Sequence, residues 1–185
     1  MNTQGHIILN LAILGQGKRP TLTWPIIIGS FLPDAAMFVF YAWARGAGFP
    51  DRVIWRDLYY QPFWQDIFAI GNSIPLTLVG LGVALWQRRP RWAALCGSMI
   101  LHHLEDLPLH HDDAHRHFFP LSDYRFISPV SYWDADHYGA YAAFGEMVLV
   151  AIASYFLCLR VRSRWGRGLL IAANLAYLVG YIVQY

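Results

Sequence analysis

The sequence is short of charge. Only 14% of its 185 residues are Asp, Glu, Lys or Arg, against 56% hydrophobic, where an ordinary soluble domain carries about 25% charged residues. So few polar groups cannot clothe a water-facing surface, which argues against a soluble globular protein. Polar low-complexity sequence is also lacking, which argues against a disordered chain. The formal net charge of +2 is too small to suggest nucleic acid as the main partner. Cysteine is scarce as well. The two that occur, Cys96 and Cys158, lie inside apolar runs, so they read as free thiols packed as small hydrophobes rather than as a disulfide framework or a cysteine-type zinc site. No Gly/Ser linker and no internal repeat interrupts the chain, and residues 1–185 read as a single integral membrane domain.

What the sequence has instead is long apolar runs. Four are of the length that crosses a bilayer, about 20 residues: Trp24 to Ala44, Ile67 to Trp86, Trp92 to about Leu109, and Tyr138 to Leu159. A slightly shorter fifth runs from Gly168 to Tyr185. Gly5 to Gly15 is too short to span. It has no preceding basic residue and no small-residue cleavage site, so it reads as a half-length helix packed inside the protein. The expected fold is all-α: a polytopic membrane helix bundle of about five transmembrane helices, a short N-terminal half-helix and a His/Asp-rich outer loop.

The few charges are distributed unevenly. Lys18 and Arg19 precede the first span, Arg88, Arg89 and Arg91 join the second to the third, and Arg160, Arg162, Arg164 and Arg167 join the fourth to the fifth. These connections hold nine of the fourteen basic residues and none of the twelve acids or eight histidines. The excess of Lys and Arg assigns them to the cytoplasm and both termini to the outside. The remaining arginines, Arg45, Arg52, Arg56, Arg116 and Arg125, lie on the other side among many acids. A bacterial inner membrane, with any site facing the periplasm, is the expected location.

Depth turns this asymmetry into a candidate site. At about 1.5 Å rise per residue, His6, Asp34 and His102 lie roughly 14–15 Å above the cytoplasmic ends of three separate segments, and Asp106 and Glu146 roughly 21 Å above theirs. Ionisable residues inside a membrane are expensive and mark function by default. The densest stretch runs from His102 to His117. His102 and Asp106 are four apart and share one helix face, although His103 lies close to that face too. Pro108 should end the helix near Leu107, letting His110 fold back toward the same centre. His115 and His117 alternate, as two ligands on one side of an extended segment do. Imidazole with carboxylate suits a divalent ion: Zn²⁺ first, with Mn²⁺ or Fe²⁺ as alternatives. The loop from His111 to His137 is longer than the roughly 12–15 residues of ordinary unstructured connections, and its aromatics suggest an ordered lid at the membrane surface.

Plainer roles exist for several of these residues. Asp34 after Pro33 can cap a broken helix. Glu146 can pair with Arg116 or Arg125. Asp112, Asp113, Asp123 and Asp136 read as solvated loop carboxylates, and Asn72 and Ser73 as hydrogen bonds between helices.

At these positions the chain resembles the YdjM-like membrane-bound metal-dependent hydrolase family. Gln4-Gly5-His6, Phe31-Leu32-Pro33-Asp34 and His102-x-x-x-Asp106 match its motifs in order and approximate spacing, over roughly residues 4–130. The same motifs are more distantly similar to the zinc-dependent phospholipase C and single-strand nuclease superfamily, with Pro108-Leu109-His110 as a further element. That resemblance implies a cluster of two or three zinc ions, and adds His137 with Glu146 as a later ligand pair, although here they are nine residues apart where the family spacing is four. The second span departs from the YdjM-like pattern: Phe68-Ala69-Ile70-Gly71-Asn72-Ser73 carries no histidine where the family has Phe-Thr-His-Ser.

The expected ligands are therefore His6, Asp34, His102, Asp106, His110, His115, His117, His137 and Glu146. Asp34 or Asp113 would take a proton from the attacking water, and Arg116 or Arg125 would hold a phosphate. The function expected is hydrolysis of a phosphoester in a membrane lipid or lipid-linked substrate by a metal-activated water. A metal- or proton-transporting protein is the alternative, but it calls for pseudo-repeats and polar inner halves, whereas here the inner halves carry little beyond Asn10, Ser98 and Asn174. A haem protein with paired axial histidines is a third reading.

Overall fold

The computed structural model describes residues 1–15 and 19–185, so Lys18 lies outside the described residues. Among these, all regular structure is helical. The α-helices are Thr3–Leu14 (α1), Thr23–Gly46 (α2), Asp51–Val53 (α3), Pro62–Gly71 (α4), Ile74–Trp86 (α5), Pro90–Asp106 (α6), Gly139–Arg160 (α7) and Arg164–Gln184 (α8). Prolines at the first or second position open α4, α5 and α6, where a helix's own N–H groups have no partner inside that helix.

Four helical stretches are long and apolar enough to cross a membrane: Pro20–Gly46, Pro62–Trp86, Gly139–Arg160 and Arg164–Gln184. The third expected span, α6, is 17 residues long and ends in the polar His102–Asp106 turn. The surface is apolar where a soluble protein's is polar, with Trp24, Val39, Val79, Leu85 and Leu169 all more than 60% exposed.

Two apolar clusters flank a polar middle. One joins α1, α7 and α8 through Ile8, Val150, Ala153, Leu157, Leu170 and Tyr177. The other joins α2, the segment after α3 and α4 through Phe40, Ala44, Ile54, Tyr59 and Phe68. Between them α6 packs chiefly against α2 and α5, while α1 is wedged among α2, α6 and α7. The expected half-helix is α1, and Arg160 reaches from the end of α7 to the Ala12 carbonyl at its last turn. The contact that fixes α1 against α2 and α6 is polar: Asn10 Nδ2 donates to Ser30 Oγ (3.0 Å), the Ser98 carbonyl (2.9 Å) and Ser98 Oγ (3.0 Å). All three residues are buried. In hydrocarbon the alternative to such bonds is an unsatisfied polar group.

The second expected span is not one continuous helix. It breaks at Asn72 and Ser73 into α4 and α5, because Pro75 has no N–H for the Gly71 carbonyl and the Leu76 N–H bonds Ser73 Oγ instead (3.1 Å). Asn72 and Ser73 therefore do more than bond neighbouring helices. The freed carbonyls are satisfied by histidines: His103 Nε2 approaches Gly71 O at 3.2 Å and His117 Nδ1 approaches Asn72 O at 3.1 Å. The loop closes over the break, with the Ile74 N–H on the His117 carbonyl (2.9 Å) and Ser73 Oγ on the Phe119 carbonyl. Cys96 and Cys158 are both free.

Candidate metal centre

Asp106 is the hub. It closes α6, which stops there as Pro108 dictates, and its carboxylate is buried. His6 Nε2 lies 3.0 Å from Oδ1, His102 Nε2 3.0 Å from Oδ2, and His110 Nε2 3.4 Å from Oδ1. The Met1 α-amino group also lies 2.7 Å from Oδ1. The donor atoms form two overlapping groups, His6–His102–Asp106 and Asp106–His110–His115, each compact enough to hold one ion. Asp34 approaches the first group, with Oδ1 3.5 Å from His102 Nε2 and Oδ2 accepting from Thr3 Oγ1 at 2.5 Å.

The tautomers decide what this arrangement can bind. His102 Nδ1 lies 2.7 Å from the Ser30 carbonyl, which can only accept, so Nδ1 carries the proton. His6 Nδ1 donates to Glu105 at 2.6 Å and His110 Nδ1 to Asp113 at 2.9 Å. Each neutral ring then turns a lone pair, on Nε2, toward a carboxylate that also offers only lone pairs. All three Nε2 atoms are buried and lack a hydrogen-bond partner. Where these rings are neutral, acceptor faces acceptor, and either a proton on Nε2 or a metal ion can close the gap. An outer partner on Nδ1 with Nε2 aimed inward is the orientation of metal-ligating histidines. His6 and His102 stack at 3.6 Å between ring centroids, close enough to serve one ion together.

The loop histidines respond to the same carboxylate. Burial disfavours charge on His110, but the Asp106 and Asp113 carboxylates outweigh it and push its pKa up to about 9. Burial, with His110 and His117 as neighbours, pushes His115 down to about 3. A metal ion at this group would therefore compete with a proton on His110.

The remaining expected site residues fall elsewhere. Of the adjacent pair, His102 faces the cluster and His103 turns to the α4–α5 break. His117 is buried within 5.8 Å of both His103 and His115, ring to ring, but its Nδ1 serves the Asn72 carbonyl. Glu146 Oε1 accepts from the Asn2 N–H (2.8 Å) and Tyr177 OH (2.6 Å), while Oε2 is buried without a partner; it belongs to neither ligand group. A Cβ on Gly5 would lie 2.5 Å from Tyr177 Oη and 2.9 Å from Glu146 Oε1, which explains the glycine before His6. His137 lies away from the cluster, bonded to Asp134 (2.7 Å) and stacked on His111.

Asp113 is tied to His110 and to Trp133 Nε1 (3.1 Å), a positioning arrangement rather than that of a free base. Arg116 is clasped between Asp66 and Asp123 (2.9 Å to the latter), so its guanidinium is occupied in joining the loop to α4. Arg125 holds the Ala114 carbonyl (2.6 Å) and Gln65 (2.8 Å). Sequence reasoning did not single out Glu105, Thr3 or the Ser30 carbonyl. The adjacency of Glu105 to Asp106 was a usable signal, whereas a backbone carbonyl leaves none.

A cavity of about 350 Å³ adjoins the cluster, and its lining includes Asp34, His110, Met37, Phe38, Tyr41 and Trp55. Glu105→Gln is expected to weaken metal binding by about 10–100-fold without unfolding the protein, as read by metal competition. Unchanged affinity would remove Glu105 as the partner that orients His6.

No family model, curated protein or solved structure matches the chain. The class that fold and site define is a protein whose described residues are all-helical in their regular structure, with four helices among them long and apolar enough to cross a membrane and a buried His/Asp cluster that could hold a metal ion.

Proposed function

We propose that this chain is a membrane-embedded metal-dependent hydrolase acting on a phosphoester of a lipid or lipid-linked substrate. The observation that carries the reading is the set of three buried imidazole Nε2 atoms, none with a hydrogen-bond partner, that converge on the Asp106 carboxylate. Two ions sharing Asp106 fit the two overlapping ligand groups, with zinc preferred by the imidazole-rich donor set and manganese or iron as alternatives. Bound there, divalent ions supply Lewis acidity and bring the pKa of water near neutrality.

The chain's own residues divide the rest of the work. Asp34 borders both the ligand group and the cavity, which makes it the carboxylate for the proton of the attacking water. Thr3 holds its second oxygen. Glu105, Asp113 and the Ser30 carbonyl fix the three imidazoles. The apolar wall of Met37, Phe38 and Trp55 receives the hydrocarbon part of the substrate. The resemblance of Gln4-Gly5-His6, Pro33-Asp34 and His102-x-x-x-Asp106 to the YdjM-like hydrolases supports the same reading. In this reading α6 is a fifth, shorter membrane crossing, and the arginine-rich connections are cytoplasmic, with the site toward the periplasm of a bacterial inner membrane.

The test is metal analysis of the purified protein with a phospholipid hydrolysis assay, with and without chelator and after zinc is restored. Bound zinc and chelator-sensitive, zinc-restored hydrolysis are expected. Full metal occupancy and function in the His102→Ala, Asp106→Ala double variant would overturn the proposal.

A further inference from the structure

Two histidines stand apart from the Asp106 cluster and repeat its wiring. His111 and His137 lie at opposite ends of the long loop, yet their rings stack with centroids 3.6 Å apart and planes inclined by 22°. The His6–His102 pair has the same separation and an inclination of 19°. His111 Nδ1 lies 2.6 Å from the Ser128 carbonyl, so it donates. His137 Nδ1 donates to the Asp134 carboxylate at 2.7 Å. In each neutral ring the lone pair is then on Nε2, and no described hydrogen bond engages it.

The supports of both rings are fixed by the loop itself. The Ser128 N–H bonds the His110 carbonyl (3.0 Å) and Ser128 Oγ the Pro108 carbonyl (2.6 Å). The Ser131 N–H bonds the His137 carbonyl (2.8 Å), and the Gly139 N–H the Asp134 carbonyl (2.8 Å). The His137 side chain is 35% exposed, so the pair can be reached from water. Asp134 is committed through Oδ2 to His137 and through Oδ1 to the Asp136 N–H.

We propose that His111 and His137 form a second metal site, separate from the Asp106 centre, that takes one exchangeable transition-metal ion through its two imidazoles. The donor set decides the class. Imidazole nitrogen suits Zn²⁺, Cu²⁺ and Ni²⁺, whereas Mg²⁺ and Ca²⁺ want oxygen ligands, and the nearby carboxylate is already engaged. With two protein ligands, water completes the coordination and the ion exchanges more readily than one held by His6, His102 and Asp106. This site does not depend on the hydrolytic reading.

Cu²⁺ titration of the full chain in detergent, followed by electron paramagnetic resonance, tests it. The background is the His102→Ala, Asp106→Ala variant, which removes the Asp106 centre. The expected result is one bound Cu²⁺ with coupling to two imidazole nitrogens, weakened at least about tenfold by either His111→Gln or His137→Gln, since loss even of an outer-shell partner costs that much. If the background variant fails to fold, the same single substitutions in the zinc-loaded wild-type chain should remove the added Cu²⁺ signal and leave the tightly held zinc in place. A two-nitrogen signal that survives both substitutions, or no such signal at all, overturns the proposal.

Discussion

Replacing Asp106 by asparagine is expected to empty both ligand groups at once. The carboxylate contributes to each of them, so a single substitution removes a donor from two centres and takes away the negative charge that faces His6, His102 and His110. Loss of metal affinity should exceed the roughly 10–100-fold that changing an outer-shell partner brings, and the proposed hydrolysis should fall to background with it. The substitution acts on the fold as well. Breaking a buried charged pair from one side costs about 3–5 kcal/mol, and here the Met1 amine is held on the same oxygen as His6. Metal content by elemental analysis and thermal unfolding in detergent separate the two effects. Wild-type metal content in the variant would show that Asp106 is not the shared ligand.

The second large effect lies a full turn away from any ligand. Gly29→Ala is expected to push α2 off α6. A Cβ there would meet the Leu95 carbonyl oxygen at 2.3 Å and Ser98 Cβ at 2.9 Å, and the first of these is backbone that cannot rotate aside. Small residues at such crossings let membrane helices approach closely. Overpacking of this kind costs about 1–3 kcal/mol. The functional loss should be larger than the stability loss, because Asp34 rides on α2 and His102 on α6, and a shift of about 1 Å at a reacting centre costs about 10²-fold. Activity and unfolding temperature measured on the same preparation test this. A variant with wild-type activity would mean that the crossing has slack that these distances deny.

Some of this was legible in the sequence because regular periodicity carries it. The four-residue spacing of His102 and Asp106 puts both on one face whatever surrounds the helix. Pro108 cannot continue a helix, and α6 stops at Asp106. The common depth of His6, Asp34 and His102 follows from counting residues along rods, and these side chains do converge. The run from Ile67 to Trp86 does lie in one membrane-length stretch, but counting did not show the break inside it, where Pro75 deprives the Gly71 carbonyl of its partner. The histidines of the long loop were the least legible. His110, His115, His117 and His137 differ in surroundings although the sequence presents them alike, because an irregular loop has no period from which contacts can be read.

The sequence by itself determined the apolar, charge-poor character of the helices, the segregation of arginine from acid and histidine, and the pairing of His102 with Asp106, since all of these depend on composition or on spacing along one helix. The tertiary structure decided which nitrogen of each imidazole is free, because that depends on an acceptor elsewhere in the chain: Ser30 for His102, Glu105 for His6 and Asp113 for His110. It also separated His103 and His117, which serve the carbonyls of a broken helix, from the cluster, and brought His111 and His137 together from the two ends of a loop. Hydrogen-bond partners across long stretches of sequence are fixed only when helices pack.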